Sequence, residues 1–250
     1  MRVDIQRLSE SSGAELAPVY LLFGDELLLI EEACNALRSQ AASQGFSERV
    51  SYVAEQGFDW NELLQSGNSL SLFAERQLLE VRIPTGKPGQ VGSRVLTELA
   101  ENMPQDTLLL VVCGGVDKSG QNQKWFKTLD QSGVSAEARR MTLDMLPGWL
   151  ANRLQKKGLL ADRDSVNLLT YCFEGNLLAA AQAIDMLALN FNPGSQPDAK
   201  EQLAALQESV SDNSRFSVFS YLDACLGGDW QRTARIIDGL RAENEGAVLL

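Results

Sequence analysis

Pro18-Val19-Tyr20-Leu21-Leu22-Phe23, running into Gly24-Asp25 and then into a long helical pattern, is the stretch that decides the fold. A short apolar run that turns at glycine and passes straight into a helix is one strand–turn–helix unit of a parallel sheet. From Glu26 to about Ser43, Leu28, Ile30, Ala33, Cys34 and Leu37 recur at near-helical spacing and predict one buried face. The same alternation continues downstream. Val50 to Ala54 reads as a strand, and Asp59 is placed to cap a short helix through Trp60, Leu63 and Leu64. Gln77 to Ile83 reads as a strand that stops at Pro84, and Thr85 to Gly92, rich in Gly, Pro and Lys, reads as a loop. A helix from about Ser93 to Glu101 leads into Thr107 to Val112 (TLLLVV), a continuous apolar run typical of a central strand buried on both faces. A helix around Gln121 to Leu129 and a weaker strand at Val134 to Ala138 complete the pattern. The expectation is a three-layer α/β domain with a parallel sheet over residues 1–140.

After Arg140 the pattern changes. Leu143 to Lys157, Asp162 to Phe173, Asn176 to Asn190 and Ala199 to Val210 all read as helices, broken at Gly158, Gly175 and Asn192-Pro193-Gly194. These predict a small helical domain over 141–211. Ser211-Asp212-Asn213-Ser214 marks a junction, beyond which Phe216 to Leu226 and Asp229 to Leu240 predict an αα-hairpin turning at Gly227-Gly228. The ending Gly246-Ala247-Val248-Leu249-Leu250 reads as the start of another apolar helix, so 212–250 is expected to be part of a third, incomplete helical domain.

Composition narrows the function. The formal charge is -11, from 33 acidic and 22 basic residues, which argues against a self-sufficient nucleic-acid binder but leaves room for a local basic patch. No N-terminal stretch carries the pattern of a signal peptide and no apolar run is long enough to span a bilayer, so a cytoplasmic protein without membrane contact is expected. Cys34, Cys113, Cys172 and Cys225 fit no zinc or redox spacing and read as small buried thiols. Histidine is absent, which removes the commonest general base and metal ligand together.

The turn at Gly24-Asp25-Glu26-Leu27 stands where a phosphate loop would be. That loop needs a second glycine, a lysine and a hydroxyl for magnesium, and here two carboxylates occupy the place instead. Leu108 to Val112 runs into Cys113-Gly114-Gly115 rather than into a magnesium-positioning acid, and Asp117 comes too late to replace it. Lys118-Ser119-Gly120 is expected to be a solvated helix start. Lys124-Trp125-Phe126-Lys127 is expected to be an anchored helix face with solvated lysines. No catalytic, cofactor-binding or metal-ligating residue is expected. The alternative is a P-loop-type ATPase with an atypical site.

Ser69-Leu70-Ser71-Leu72-Phe73-Ala74 puts three large apolar side chains between a short helix and a strand. On burial statistics alone such a group is core more often than interface, by roughly two to one. As an interface it would concentrate binding energy in a few anchors, about 1.5–3 kcal/mol for each side chain fully buried.

Taken in order, the stretches 19–25, 69–77, Trp125-Phe126, Glu174-Gly175-Asn176-Leu177-Leu178-Ala179 with Gln182-Ala183, and Phe216 to Ala224 resemble the delta subunit of the bacterial DNA polymerase III clamp loader. The resemblance covers essentially the whole chain. It implies an AAA+/RecA-like first domain without ATP hydrolysis, a helical lid domain and the start of the helical collar domain. It implies that the chain itself is no enzyme, although the assembly it would join is a DNA polymerase, a nucleotidyltransferase. It also implies partners: the sliding clamp (beta subunit), the other loader subunits (gamma/tau and delta prime), and primed DNA only within the assembled loader. Leu72 and Phe73 correspond to the Leu-Phe pair that enters a hydrophobic pocket of the clamp in that family, and Leu70 to a neighbouring apolar contact.

Overall fold

The computed structural model describes residues 1–10, 15–68, 75–191, 198–211, 221 and 224–242. Contacts divide the chain into two compact units, Met1–Arg140 and Met141–Leu250.

The first unit is built on a six-stranded, all-parallel sheet. Its strands are β1 (Arg2–Asp4), β2 (Val19–Gly24), β3 (Glu48–Val53), β4 (Gln77–Ile83), β5 (Thr107–Cys113) and β6 (Val134–Ala138), in the order β1-β6-β2-β5-β4-β3. Every residue of β2 and β5 is buried, as their continuous apolar sequences require of central strands covered on both faces. β3 alternates, as an edge strand with one wet face should. Parallel neighbours need crossover connections. These are α2 (Leu27–Ser43), α3 (Trp60–Asn68), α4 (Gly89–Asn102) and, between β5 and β6, α5 (Lys118–Gln121) and α6 (Lys124–Ser132), while α1 (Ile5–Glu10) follows β1.

Successive strand residues face opposite layers. Leu21 and Phe23 of β2, Leu79 and Val81 of β4, and Leu109 and Val111 of β5 form one core with Leu63, Val95, Leu96, Leu99, Trp125, Phe126 and Leu129 from α3, α4 and α6. Phe23 meets Phe126 edge-to-face with ring centroids 5.0 Å apart. The opposite face carries α1 and α2, and there β4 presents Glu80, with none of its surface exposed. Three guanidinium groups reach it. Arg38 of α2 donates through Nε (3.0 Å) and Nη2 (2.7 Å), Arg49 of β3 through Nε (3.2 Å), and Arg82 of β4 through Nε (3.0 Å). Arg82 also holds Glu31 of α2 through both terminal nitrogens, with Nη2 at 2.9 Å from Oε2.

The second unit contains α7 (Leu146–Lys156), α8 (Arg163–Cys172), α9 (Leu177–Leu189), α10 (Ala199–Ser211) and α11 (Trp230–Ala242), with no strand among its described residues. Their starts follow from local chemistry. Asp162 Oδ1 accepts from the amides of Asp164 and Ser165, Asn176 Oδ1 from Ala179, and Asp229 Oδ1 from Arg232. Gln202 of α10 is fully buried and satisfied: it donates to Leu160 O and accepts from Leu160 N, both at 2.8 Å.

Several boundaries differ from the sequence reading. β1 and α1 were not expected, because Arg2-Val3-Asp4 is short and polar and pairs only with β6 at the sheet edge. α4 begins at Gly89, inside the expected loop, since its first turn contains Gly89 and Gly92 and carries little helical signal. The single helix expected over 121–129 is two, α5 and α6. Of the cysteines, Cys34 and Cys113 are buried, and burial pushes both thiols up to about 12. Cys225 is exposed, against expectation, beside the turn at Gly227-Gly228.

Replacing Glu80 by Gln should lower unfolding free energy by about 3–5 kcal/mol, because three guanidiniums lose the carboxylate they surround. Burial raises the Glu80 pKa, but the hydrogen bonds and charges of Arg38, Arg82 and Arg49 outweigh it and hold the carboxyl below the ordinary range. Glu31 is lowered too, chiefly by its hydrogen bonds from Arg82. A depressed folded pKa gives stability that is present above the unfolded value, about 4.3, and is lost as pH falls through the folded value. Urea denaturation should therefore show stability falling between about pH 5 and pH 3, with a shallower fall in E80Q.

Candidate functional site

Two places in the first unit bear on function, one at each end of the sheet. At the carboxyl ends of the strands, α2 leaves β2 towards one face and the α5–α6 connection leaves β5 towards the other. The crevice between neighbouring strands whose connections diverge is where open α/β sheets bind ligands. Here protein fills it. The carbonyl of Ala138, at the end of β6, accepts hydrogen bonds from the amides of both Asp25 (3.0 Å) and Glu26 (3.2 Å). Gly24, with φ at +137°, brings the chain so close that a Cβ there would lie 2.2 Å from Ala138 O. Asp25 occupies the space over Gly115, where a Cβ would be 2.5 Å from Asp25 Oδ1.

One strand further along, the loops after β4 and β5 enclose a cleft of about 770 Å³, lined in part by Lys87, Ser93, Asp117, Ser119, Gln123 and Trp125. Asp117 caps α5: its Oδ1 accepts from Gly120 N (2.7 Å) and Ser119 Oγ (2.8 Å). The hydrogen bond from Gly120 is the main reason its carboxyl stays below the usual range. Trp125 and Phe126 are buried while Lys124 and Lys127 are exposed, which is the anchored helix face expected of that cluster. Among the described residues no group of histidine, cysteine or carboxylate side chains could hold a metal ion, and no helix is long and apolar enough to cross a membrane.

At the other end, Leu70, Leu72 and Phe73 lie outside the described residues. The elements that flank them are firmly set. Gln77, the first residue of β4, is buried and donates through Nε2 to Ser66 O of α3 (3.0 Å) and to Thr107 Oγ1 of β5 (3.1 Å). Ser66 Oγ and Tyr52 Oη are 2.7 Å apart. Gly67 packs so closely that a Cβ would be 2.5 Å from Leu99 Cδ2 and 3.4 Å from Leu79 Cδ2. Arg76 donates to Gln44 O (3.1 Å) and lies 5.3 Å from the Phe46 ring centroid. The sequence pointed to the segment between these anchors. It did not show the Gln77 bridge, for which a glutamine at the head of an otherwise apolar strand was the available signal.

The sequence model described as "DNA polymerase III, delta subunit" matches residues 20–139. The DNA polymerase III subunit delta of Escherichia coli is 33% identical over 250 residues, covering all of this chain and 71% of that protein. The chain belongs to the DNA polymerase III delta-subunit family. The Haemophilus influenzae member is 32% identical, covering all of this chain and 72% of that protein. Among solved structures, the Bacillus subtilis DNA clamp loader delta protein superposes with a TM-score of 0.62 at 16% identity, covering 97% of this chain and 72% of that one, a likeness of fold. The three-layer α/β architecture, with helical segments after it in sequence, is therefore the fold of this family member.

Gly24→Ala should destabilise the first unit by at least about 2 kcal/mol in a thermal or urea melt, because the new methyl group meets backbone rather than a movable side chain and the φ is unfavourable for an L-residue.

Proposed function

We propose that this chain acts as a clamp-loader delta subunit that binds and opens the sliding clamp during DNA replication without hydrolysing ATP. Its identity over its full length with the Escherichia coli DNA polymerase III subunit delta carries this reading. The crowded turn agrees with the second half: Ala138 O takes the amides of Asp25 and Glu26, Gly24 lies against Ala138, and the turn carries neither the lysine nor the hydroxyl of a phosphate loop. Residues 141–211 act as the lid domain and 212–250 as part of the collar.

In this reading Leu72 and Phe73, with Leu70 beside them, form the wedge that enters an apolar pocket of the clamp. Two observations favour a surface role over a core role. The space under the end of α3 is already occupied by Leu99 and Leu79 against Gly67, and Gln77 closes the junction of α3, β4 and β5 with polar contacts. The chemistry is mechanical. The wedge opens the clamp only to the extent that it binds the loosened ring better than the closed one. The other loader subunits, gamma/tau and delta prime, supply the nucleotide-driven step, and primed DNA is engaged in the assembled loader.

A double L72A/F73A variant should keep its melting temperature and lose clamp binding by several kcal/mol in a pull-down or calorimetric titration. Unfolding of that variant, with no clamp binding by the wild type, would instead assign the pair to the core. Titration with ATP-magnesium should give no binding heat, and saturable binding would favour an atypical ATPase.

A further inference from the structure

In the second unit, α11 and the residues just before it have a small apolar core of their own. Ala224 and Ile236 are buried there, with Tyr221 packed against them. The turn between them is set by backbone: Gly228 N donates to Cys225 O (3.2 Å) and Asp229 N to Ala224 O (3.1 Å), with Gly228 at φ +71°. Two basic side chains reach from α11 to the earlier helices. Arg232 Nη2 lies 2.7 Å from Glu174 Oε1, an oxygen shielded from water. The Arg235 guanidinium carbon lies 4.7 Å from the Tyr171 ring centroid. Three residues apart, the two arginines share one face of α11. Tyr171 stands in the last turn of α8 and Glu174 two residues beyond it, so both arginines meet the end of a helix where the dipole favours cations.

We infer that Arg232 and Arg235 form a releasable latch that sets the angle between α11 and α8. The Arg232 and Glu174 side chains keep 26% and 21% of their surface in contact with solvent, so when the helices part both charges regain water and little is lost. An apolar seam would behave otherwise, since parting it exposes surface that costs free energy in proportion to its area. The core of Ala224, Ile236 and Tyr221 stays on the α11 side of the joint, so α11 moves together with residues 224–228 as one piece. Reversing one charge is a different matter from parting the helices. With an arginine at position 174, attraction becomes repulsion and the latched arrangement is lost. Neighbouring arginines on one helix face also repel each other, so a negative surface on a partner protein competes with Glu174 and Tyr171 for them. In the clamp-loader reading this joint falls between the lid and the collar, but the geometry does not depend on that reading.

The test is a pulsed electron-resonance distance measurement on the full chain, with nitroxide labels on Cys225 and on the thiol introduced by Leu189→Cys, in a C172S background. Both labelled positions are exposed, and Cys34 and Cys113 are buried and stay unlabelled. At about 0.1 M salt this parent should give one narrow distance. Raising salt to about 1 M shortens the screening length from about 10 Å to about 3 Å and should populate a second distance. E174R should populate the second distance already at low salt, and E174R/R232E should restore the narrow one, a rescue that a merely space-filling role would not give. One unchanged distribution through E174R and high salt would overturn the latch, as would a broad distribution in the parent or no rescue by the charge swap. Should E174R fail to fold, R232Q must broaden the distribution while R232K keeps it narrow, and the opposite result overturns the latch. Clamp binding plays no part in this readout, so its failure leaves the proposed function untouched.

Discussion

Glu80 is the point on which the first unit turns. A carboxylate with no exposed surface, on a strand covered by a helix, is tolerable only because three guanidiniums converge on it. The three come from different places: α2, the edge strand β3, and β4 itself. The cluster therefore fixes the register of β3 against β4 and the seat of α2 together. Arg82 extends the same arrangement to Glu31, about two turns away along α2 from Arg38. Apolar packing already favours one alignment of these layers. The charge cluster adds to that preference, since any slip leaves a buried charge without its partners.

Once the layers are set, the carboxyl ends of β2 and β6 meet closely. Gly24 allows the approach of β2 to β6, Ala138 O takes up the free amides, and Asp25 closes over Gly115. The outcome is a parallel α/β sheet whose central turn is packed against backbone of β6.

Much of the fold was legible in the residues. The continuous apolar runs of β2 and β5 and the alternation of strands with helices dictate a parallel sheet, and Asp162, Asn176 and Asp229 announce their helices by capping chemistry. β1 was illegible because a three-residue polar strand gains its identity only from β6 beside it. The glycine-bearing start of α4 was illegible because it contradicts local propensity. At the candidate site, the absence of phosphate-loop residues could be read directly. The filling of the crevice could not, since Ala138 is more than a hundred residues from Asp25 in sequence and contributes only its carbonyl. The Glu80 cluster was hidden for the same reason: a glutamate within an apolar strand is visible, but Arg38 and Arg49 become its neighbours only after folding.

The Gln77 bridge has a mechanical meaning. Its amide nitrogen ties the backbone of α3 and the side chain of Thr107 to the first residue of β4. Asn68 closes α3 and Glu75 stands two residues before β4, so the described chain ends on either side at the same stiff footing. A load placed on that junction is shared by three elements in parallel instead of falling on one hinge, and its compliance is small.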